Sequence, residues 1–308
     1  MNELDKQNKK IIKYPLRGYI FLVGTAFFTA LSYVFGKAVN KDLNPETVIF
    51  FWFFGAFFFS IFAVMLIPSQ RTELRYLRNY VTIFVLSSIV TAIGAALWII
   101  SLRTIGPPLT SFLMKSQTLF SLLLGIMFLG ERLNKGETIG IMLTIAGGVI
   151  VAYQEEGYLI LGTFMALLSA FFYSLLSFLV KKFAQDLNML TVANLRALGV
   201  AIVVFVYLII TERFQAPGLR DLVFMAFGGL TGAYIAKASQ FQSIKLLDVS
   251  HSTAVMPLES LFVVLFSYFL FHDLPSVIKL IGGAGIVMGV VFLVIFRGEK
   301  ADLQVSED

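Results

Sequence analysis

Cysteine is absent from the 308-residue sequence, and charged residues are scarce. Without cysteine the chain can form neither disulfide bonds nor metal sites with thiolate ligands. Charged residues make up 14% of the chain, against about 25% in an average soluble domain. A soluble globular protein is therefore excluded as a class.

Histidine is nearly absent as well, since the chain contains only His251 and His272. The sequence has no His-Glu-x-x-His zinc motif, no Gly-x-Ser-x-Gly nucleophile motif and no Walker loop. We therefore expect no enzyme, no cofactor and no metal site. The net charge of +5 comes from residues in short connections between apolar runs, which argues against a nucleic-acid partner.

Apolar residues are abundant, at 58% of the chain, against about 45–50% in an average domain. They form runs of about 20 residues, long enough to cross a hydrocarbon core of about 30 Å as a helix. We predict an all-α polytopic membrane protein, surrounded by a lipid bilayer, with ten transmembrane helices. The ten predicted spans are 18–38, 46–67, 80–102, 108–129, 137–153, 159–182, 189–210, 222–244, 251–271 and 276–296.

The first apolar run, from Gly18 to Val39, is longer than the apolar core of a signal peptide, so we interpret it as the first span. Lys and Arg residues of the connections favour the side that carries the N-terminus, by fifteen to six. By the positive-inside rule, residues 1–17 and 297–308 are both expected in the cytoplasm. The expected location is the plasma, or inner, membrane.

The second half of the chain repeats the first. Residues 109–153 align without a gap with residues 251–295 at an offset of 142 (251 − 109), so that Gly147, for example, matches Gly289. A fixed offset over such a length is the signature of an internal repeat.

The repeat extends to the whole chain as two units, residues 18–153 and 159–296. Near the start of each unit the offset is 144 (181 − 37), where Lys37 matches Lys181. Each unit contains five predicted spans, and because five is odd the second unit enters the membrane from the opposite side. Many secondary transporters use such inverted repeats for alternating access to a site near the bilayer midplane.

Proline and glycine indicate where the helices end, bend or meet. Most prolines fall at predicted span ends, where a missing N–H group costs little. These prolines are Pro45, Pro68, Pro107, Pro108 and Pro275. Pro257 instead falls inside the ninth span and should kink or break it. Gly285 and Gly289 permit close approach of another helix, either within the chain or across a possible homodimer.

A charged break between the fourth and fifth spans reads FLGERL at residues 128–133, and a degraded copy, FHDL, stands at residues 271–274. With glycines spaced like Gly140 and Gly147 after the break, this pattern resembles the EamA family of the drug/metabolite transporter superfamily. The resemblance covers essentially the whole chain as two five-helix units. It implies a ten-helix transporter of small metabolites, often an exporter.

That family often has Glu-Pro in its ninth span, shortly before the acidic break. This sequence has Glu259-Ser260 there, so the glutamate matches and the proline does not, although Pro257 stands nearby. In the first unit the same place holds Gln117-Thr118. The resemblance therefore directs attention to Glu259 and Gln117 as site residues.

Four ionisable residues lie well inside predicted spans: Lys115, Arg196, Lys237 and Glu259. A charge at bilayer depth costs at least about 2.5–3.5 kcal/mol, so such residues normally face an interior cavity and pair. One interpretation is a midplane cavity with a charge balance of +2 (3 − 1), which an anionic cargo would compensate. There we expect Glu259 to interact with Arg196 or Lys115. The other interpretation is structural: Glu259 pairs with Arg196 to lock two helices, and Lys237 extends to the cytoplasmic interface.

Polar and aromatic side chains complete the predicted site. On the eighth span, Tyr234, Lys237 and Gln240 share one face at three-residue spacing. Aromatic residues could stack on a planar cargo, or could only pack and mark the membrane interface. The aromatic residues considered are Trp52, Trp98, Tyr33 and Tyr173. The candidate substrate-binding residues are Lys115, Gln117, Arg196, Lys237, Gln240, Glu259, Trp98 and Tyr234.

The acidic residues of the two breaks, Glu131 and Asp273, are interpreted as structural. Both lie in tight connections between spans. A carboxylate there can accept hydrogen bonds from the first N–H groups of the next helix and complement its dipole. We therefore expect both residues at the membrane edge rather than in the cavity.

These observations predict a secondary transporter, an exporter of small polar metabolites such as amino acids or organic acids. It would work by rocking of the two halves around the midplane cavity. One alternative is an exchanger of organophosphates or nucleotide-linked sugars, which three buried cations would suit. Another is a membrane protein of a different class, a passive pore or a scaffold.

Overall fold

The computed structural model describes residues 16–66, 81–129, 134–153, 157–183, 189–246 and 257–305, and within these ranges all regular secondary structure is helical. The first helices are α1 (Leu16–Ala38), α2 (Pro45–Leu66), α3 (Val81–Met114), α4 (Gln117–Leu129) and α5 (Lys135–Ala152). They are followed by α6 (Gly157–Phe183), α7 (Met189–Ile210), α8 (Leu219–Gly228, Gly229–Ala236 and Lys237–Leu246), α9 (Pro257–Phe271) and α10 (Val277–Val305). The predicted all-α class is confirmed for the described ranges.

Within the described ranges, seven helical segments are long and apolar enough to cross a membrane. They are Arg17–Ala38, Pro45–Phe62, Val81–Met114, Ile160–Leu179, Thr191–Ile210, Leu219–Gln240 and Val277–Phe296. Helices α4 and α9 are apolar but shorter, because each begins inside a predicted span. The chain is thus a multi-pass membrane protein.

Apolar side chains cover the outside of the bundle as well as its inside. On α2, Phe54, Phe58 and Phe62 are exposed, whereas Trp52 and Phe53 are buried on the opposite face. In water such a surface would be unfavourable, but lipid tails are as apolar as the side chains themselves. The helical backbone meanwhile satisfies its own hydrogen bonds, as a membrane interior requires.

Helix α3 contains a sharp turn at Gly106, whose φ of 79° and ψ of 168° are accessible essentially only to glycine. The hydroxyl groups of Ser101 and Thr110 lie 3.0 Å apart across this turn. Nine residues of straight helix would separate them by about 13.5 Å, so the chain turns back on itself at Gly106. Pro107 and Pro108 open the arm that follows, in keeping with their predicted place at a span end.

The fourth predicted span is not one continuous helix. A turn at Lys115 and Ser116 separates the end of α3 from α4, and both N–H groups bond to carbonyls three residues back. At the matching repeat position (115 + 142), α9 begins at Pro257. The sequence predicts a kink inside the ninth span at this proline. In the structure Pro257 is the first residue of α9, and residues 247–256 lie outside the described ranges.

Helix α8 contains a π-helical segment, Gly229–Ala236, between two α-helical parts. Trp52 of α2 packs tightly against its start. A Cβ atom at Gly228 would collide with the Trp52 ring, and one at Gly229 with the Trp52 carbonyl oxygen. Such segments are frequent at functional sites, and this one directly precedes Lys237.

Helices α5 and α10 pack against each other through glycines. A Cβ atom at Gly140 would lie 2.7 Å from the carbonyl oxygen of Gly289, and one at Gly147 would lie 2.5 Å from that of Gly282. Residue numbers rise along one helix as they fall along the other, so the two helices are antiparallel. The close approach predicted at Gly289 is therefore made within one chain.

Asp273 does not take the capping role that the sequence suggests. Its carboxylate forms an ion pair with Lys37 at the end of α1. The Lys37 ammonium also lies 4.9 Å from the centroid of the Phe271 ring. Asp273 therefore ties α1 to the connection between α9 and α10. Glu131, the other predicted capping residue, lies outside the described ranges.

Candidate functional site

An ion pair joins the two halves of the chain. Lys115 Nζ lies 2.7 Å from Glu259 Oε2, and the two side chains are only 8% and 14% exposed. The expectation that Glu259 interacts with Arg196 or Lys115 is thus confirmed for Lys115.

The two charges lie at the starts of α4 and α9. Lys115 stands in the turn that precedes α4, and Glu259 lies in the first turn of α9. The N-terminal end of a helix favours a negative charge, because the free N–H groups and the helix dipole are positive there. Either charge alone would cost at least about 2.5–3.5 kcal/mol at bilayer depth, and contact at hydrogen-bond distance offsets part of that cost.

Arg196, on α7, is 7% exposed and has an aromatic partner. Its guanidinium carbon lies 5.8 Å from the centroid of the Phe53 ring on α2, within the range of a cation–π interaction. Its Nε is buried without a hydrogen-bond partner. Among the described residues no carboxylate lies within 4.0 Å of Arg196. The structural alternative in which Glu259 pairs with Arg196 is therefore not what the structure shows.

Lys237 begins the last α-helical part of α8 and belongs to the same cluster. Its Nζ donates a hydrogen bond of 3.0 Å to Gln240 Oε1, which confirms the face that these two residues share. The part of α8 that begins at Lys237 packs against α1 and against α7, which carries Arg196.

Gln117 in the first half is the repeat counterpart of Glu259 in the second half (259 − 142). Its Nε2 donates to the carbonyl oxygen of Tyr173 and to Ser177 Oγ on α6, both at 3.3 Å. The neutral amide thus holds the start of α4 against α6. Gln117 is near a helix break, as its counterpart is, but it makes no ion pair.

Trp98 lies between two other aromatic side chains. Its ring centroid is 5.2 Å from that of Tyr33 and 5.7 Å from that of Trp52, both in edge-on geometry. Tyr33 belongs to a buried apolar cluster that includes Val263 of α9, the helix that carries Glu259. Tyr234 packs against the apolar cluster around Trp52 rather than among the charges.

A separate polar pocket of about 270 Å³ lies beside the turn at Gly106. None of the predicted site residues lines it. Three of its four charged residues are already engaged, because Lys37 pairs with Asp273 and Arg103 donates to the carbonyl oxygen of Leu43 at 2.7 Å. We call the region around this pocket, where the connection from α1 to α2 lies, the α1–α2 end of the bundle. Charged contacts tie its helices and connections together.

Sequence reasoning missed two contacts. Phe53 stacks on Arg196, but a chain with 32 phenylalanines gives no signal that singles one out. The pair between Lys37 and Asp273 did leave a signal. Lys37 recurs in the repeat as Lys181, and Asp273 matches the acidic residue of the first motif, so both halves retain the two charges.

Comparisons with known proteins give one consistent result. The sequence model of the EamA-like transporter family matches residues 16–153 and 160–295. An uncharacterized transporter of Methanothermobacter thermautotrophicus is 24% identical over an alignment of 308 positions. The alignment covers 90% of this chain and 86% of that relative. An S-adenosylmethionine uptake transporter of Rickettsia conorii is 24% identical over 294 residues, or 93% of this chain and 96% of that relative. One crystal structure superposes with a TM-score of 0.65 over 91% of this chain and 96% of its own, at 17% identity, which supports the fold alone.

Proposed function

Because the chain belongs to the EamA-like transporter family, we propose that it is a secondary transporter of small polar metabolites, such as amino acids or organic acids. It works by alternating access around the cluster that contains Lys115 and Glu259. The observation that carries this proposal is the buried ion pair between these residues, 2.7 Å long. Lys115 belongs to the first repeat and Glu259 to the second, so any movement of one repeat against the other acts on the pair.

The proposed architecture is ten transmembrane helices in two inverted repeats. Support for the inversion comes from the glycines between α5 and α10. Gly140 contacts Gly289, and Gly147 contacts Gly282. The offset of 142 makes Gly282 the counterpart of Gly140, and Gly289 that of Gly147, so each contact is the exchanged copy of the other. A twofold relation between antiparallel helices produces such an exchange.

The packing of whole helices supports the same relation. Helix α1 packs against α8, and α3 packs against α6. In repeat terms, the first span of each half contacts the third span of the other half. Rigid movement of one half against the other is the transport cycle that such a layout favours.

The cargo and the direction are the finer parts of the proposal. One relative is named for the uptake of S-adenosylmethionine, which is a small polar metabolite. A carrier of this kind runs in the direction that the gradients of its cargo and any coupled ion set, so uptake and export share one mechanism. We propose export, with both termini in the cytoplasm and the protein in the plasma membrane.

One observation favours a second candidate, an exchanger of organophosphates or nucleotide-linked sugars. Among the described residues, Arg196 and Lys237 have no carboxylate within 4.0 Å. Phosphate groups would suit such a pair of cations. This candidate keeps the architecture and the cycle and changes only the cargo.

Counterflow in proteoliposomes tests the proposal. The vesicles are loaded with an unlabelled mixture of amino acids, organic acids and sugar phosphates, and uptake of each radiolabelled compound is followed. A carrier accelerates uptake of its cargo when that cargo is present on the opposite side, and a passive pore does not. We expect acceleration for the wild type and its loss in Glu259→Gln.

Glu46→Gln is the matched control, because it removes a carboxylate from an ion pair at the α1–α2 end, where Glu46 lies 3.7 Å from Arg213. This variant should retain counterflow. If the uptake of every compound is independent of unlabelled cargo on the opposite side of the membrane, the protein is a pore. No uptake of any compound by the folded wild type would support a scaffold instead.

A further inference from the structure

The ionisable residues of the candidate site divide into a compensated pair and two further cations. Lys115 and Glu259 neutralise each other at 2.7 Å. The part of α8 that begins at Lys237 packs against α7, which carries Arg196, and within the described ranges neither cation has a carboxylate within 4.0 Å. Two positive charges on neighbouring helices in a region of low dielectric constant are unfavourable without a counter-charge.

Arg196 has an unused donor for that counter-charge. Its guanidinium carbon lies over the Phe53 ring, 5.8 Å from the ring centroid. The side chain is only 7% exposed, and its buried Nε has no hydrogen-bond partner. A guanidinium group presents its N–H donors in a planar fork that matches a carboxylate or a phosphate. A buried donor without a partner is costly, so an incoming oxygen atom would relieve that cost.

Lys237 supplies a second donor group beside the first. Its ammonium group gives one hydrogen bond to the neutral oxygen of Gln240, and an ammonium group has three donors in all. The amide of Gln240 therefore positions Lys237 without neutralising it. The π-helical segment of α8 ends immediately before Lys237, so the turn that widens the helix also determines where this cation lies.

We propose that Arg196 and Lys237 form the binding subsite for an anionic group of the cargo, a carboxylate or a phosphate. The biological meaning of the subsite rests on the proposed transport function, but anion binding can be measured without transport. In this arrangement Glu259 stays with Lys115, and the anion binds to the two cations that the ion pair leaves uncompensated. The cargo therefore carries at least one acidic group.

The test is thermal unfolding of the purified full-length protein in detergent, in a buffer low in chloride. The probes are succinate, inorganic phosphate and the uncharged diamide succinamide, all at matched ionic strength. A ligand that binds only the folded state raises its apparent stability by RT ln(1 + [L]/Kd), so the stabilisation grows with ligand concentration and yields an apparent Kd. We expect succinate or phosphate to raise the unfolding temperature with this concentration dependence and succinamide to have no effect.

Two variants locate the binding. Arg196→Gln and Lys237→Gln should each weaken the stabilising anion by at least about tenfold in apparent Kd, because each removes a charge-assisted hydrogen-bond donor. Arg213→Gln is the matched control, since this arginine is 60% exposed at the α1–α2 end. It should leave the apparent Kd unchanged. If Arg196→Gln fails to fold, Lys237→Gln carries the test by itself.

Three results would overturn the subsite: no stabilisation by either anion, equal stabilisation by succinamide, or anion binding of equal strength in the wild type and in Lys237→Gln. Counterflow separates this failure from failure of the transport function. Anion binding without counterflow would support the subsite and contradict the transport function. Counterflow of uncharged cargo without anion binding would support the transport function and contradict the subsite.

Discussion

The two halves of the chain carry different residues where α4 and α9 begin. In the first half a turn at Lys115 and Ser116 precedes α4, which begins with Gln117. In the second half α9 begins at Pro257 and carries Glu259 in its first turn. The repeat thus preserves the architecture while the chemistry diverges. Lys115 of the first half and Glu259 of the second form the ion pair, and neither charge recurs at the matching position of the other half.

The remaining cations of the site extend this contrast. Arg196 of the second half corresponds to Trp52 of the first (196 − 144), and Lys237 corresponds to Ala95 (237 − 142). The first half therefore places an aromatic ring and a methyl group where the second places two charges. Residues 87–94 are α-helical, whereas the matching residues 229–236 are π-helical. The second half thus provides three of the four ionisable residues of the site.

The largest effect is expected from Glu259→Gln, which gives the second half the amide that the first half has at Gln117. It leaves Lys115 buried without its partner. Removal of one member of a buried ion pair lowers the free energy of unfolding by about 3–5 kcal/mol. We expect counterflow to fall to near background and the unfolding temperature to drop. Normal transport by this variant would return Glu259 to a structural role.

The double variant Glu259→Gln/Gln117→Glu sharpens the comparison, because it moves the carboxylate to the other half at constant net charge. Gln117 contacts Tyr173 and Ser177 on α6, and a carboxylate there would lose the donor that both contacts use. We therefore expect no recovery of counterflow in the double variant. Full recovery would mean that either half can supply the carboxylate and that the asymmetry is incidental.

The next largest effect is expected at the contact where the two halves are alike. Gly147→Leu would place a side chain against the backbone of α10, since even a Cβ atom would lie 2.5 Å from the carbonyl oxygen of Gly282. Overpacking of this kind typically costs about 1–3 kcal/mol. Gly148→Leu is the matched control, because nothing lies within 4 Å of a Cβ atom there. Equal unfolding temperatures for the two variants would contradict the packing of α5 on α10.

A smaller effect is expected from Gly106→Ala, at the turn within the first half. The φ of 79° at this residue is disfavoured for alanine by about 1–2 kcal/mol. The added Cβ atom would also lie 3.2 Å from Asp273 Oδ2. A lower unfolding temperature than that of the wild type is expected in a thermal melt. An unchanged temperature would indicate that the chain does not turn at Gly106 as described.

The smallest effect is expected from Asp273→Asn, which removes the ion pair with Lys37. These side chains are 41% and 23% exposed, and exposed ion pairs contribute only about 0–1 kcal/mol to the free energy of unfolding. The unfolding temperature should therefore change little, and no more than in Glu46→Gln. A drop as large as that of Glu259→Gln would show that the ion pair at the α1–α2 end contributes as much to stability as the central pair.

Much of the fold followed from patterns along the chain. Apolar runs gave the helices, the fixed offset gave the repeat, and the cost of a buried charge singled out Lys115 and Glu259. Pairing partners were harder to predict, because the spacing of residues along the sequence does not give the distance between residues on separate helices. Either Arg196 or Lys115 could have been the ion-pair partner of Glu259, and only the packing of α3, α7 and α9 decides between them. The π-helical segment was likewise beyond prediction, since it depends on the close approach of Trp52 to α8.

In the proposed transport cycle, the cargo reaches the cluster around Lys115 from only one side of the membrane at a time. Ser116, the neighbour of Lys115 in the helix break, is 4% exposed, and the chain contains no cysteine. Labelling of Ser116→Cys by an impermeant maleimide is measured in whole cells and in inside-out vesicles, with and without the cargo found by counterflow. We predict labelling from both sides in separate experiments, with cargo raising the rate on one side and lowering it on the other. Rates that change together on both sides, or no labelling from either, would contradict alternating access.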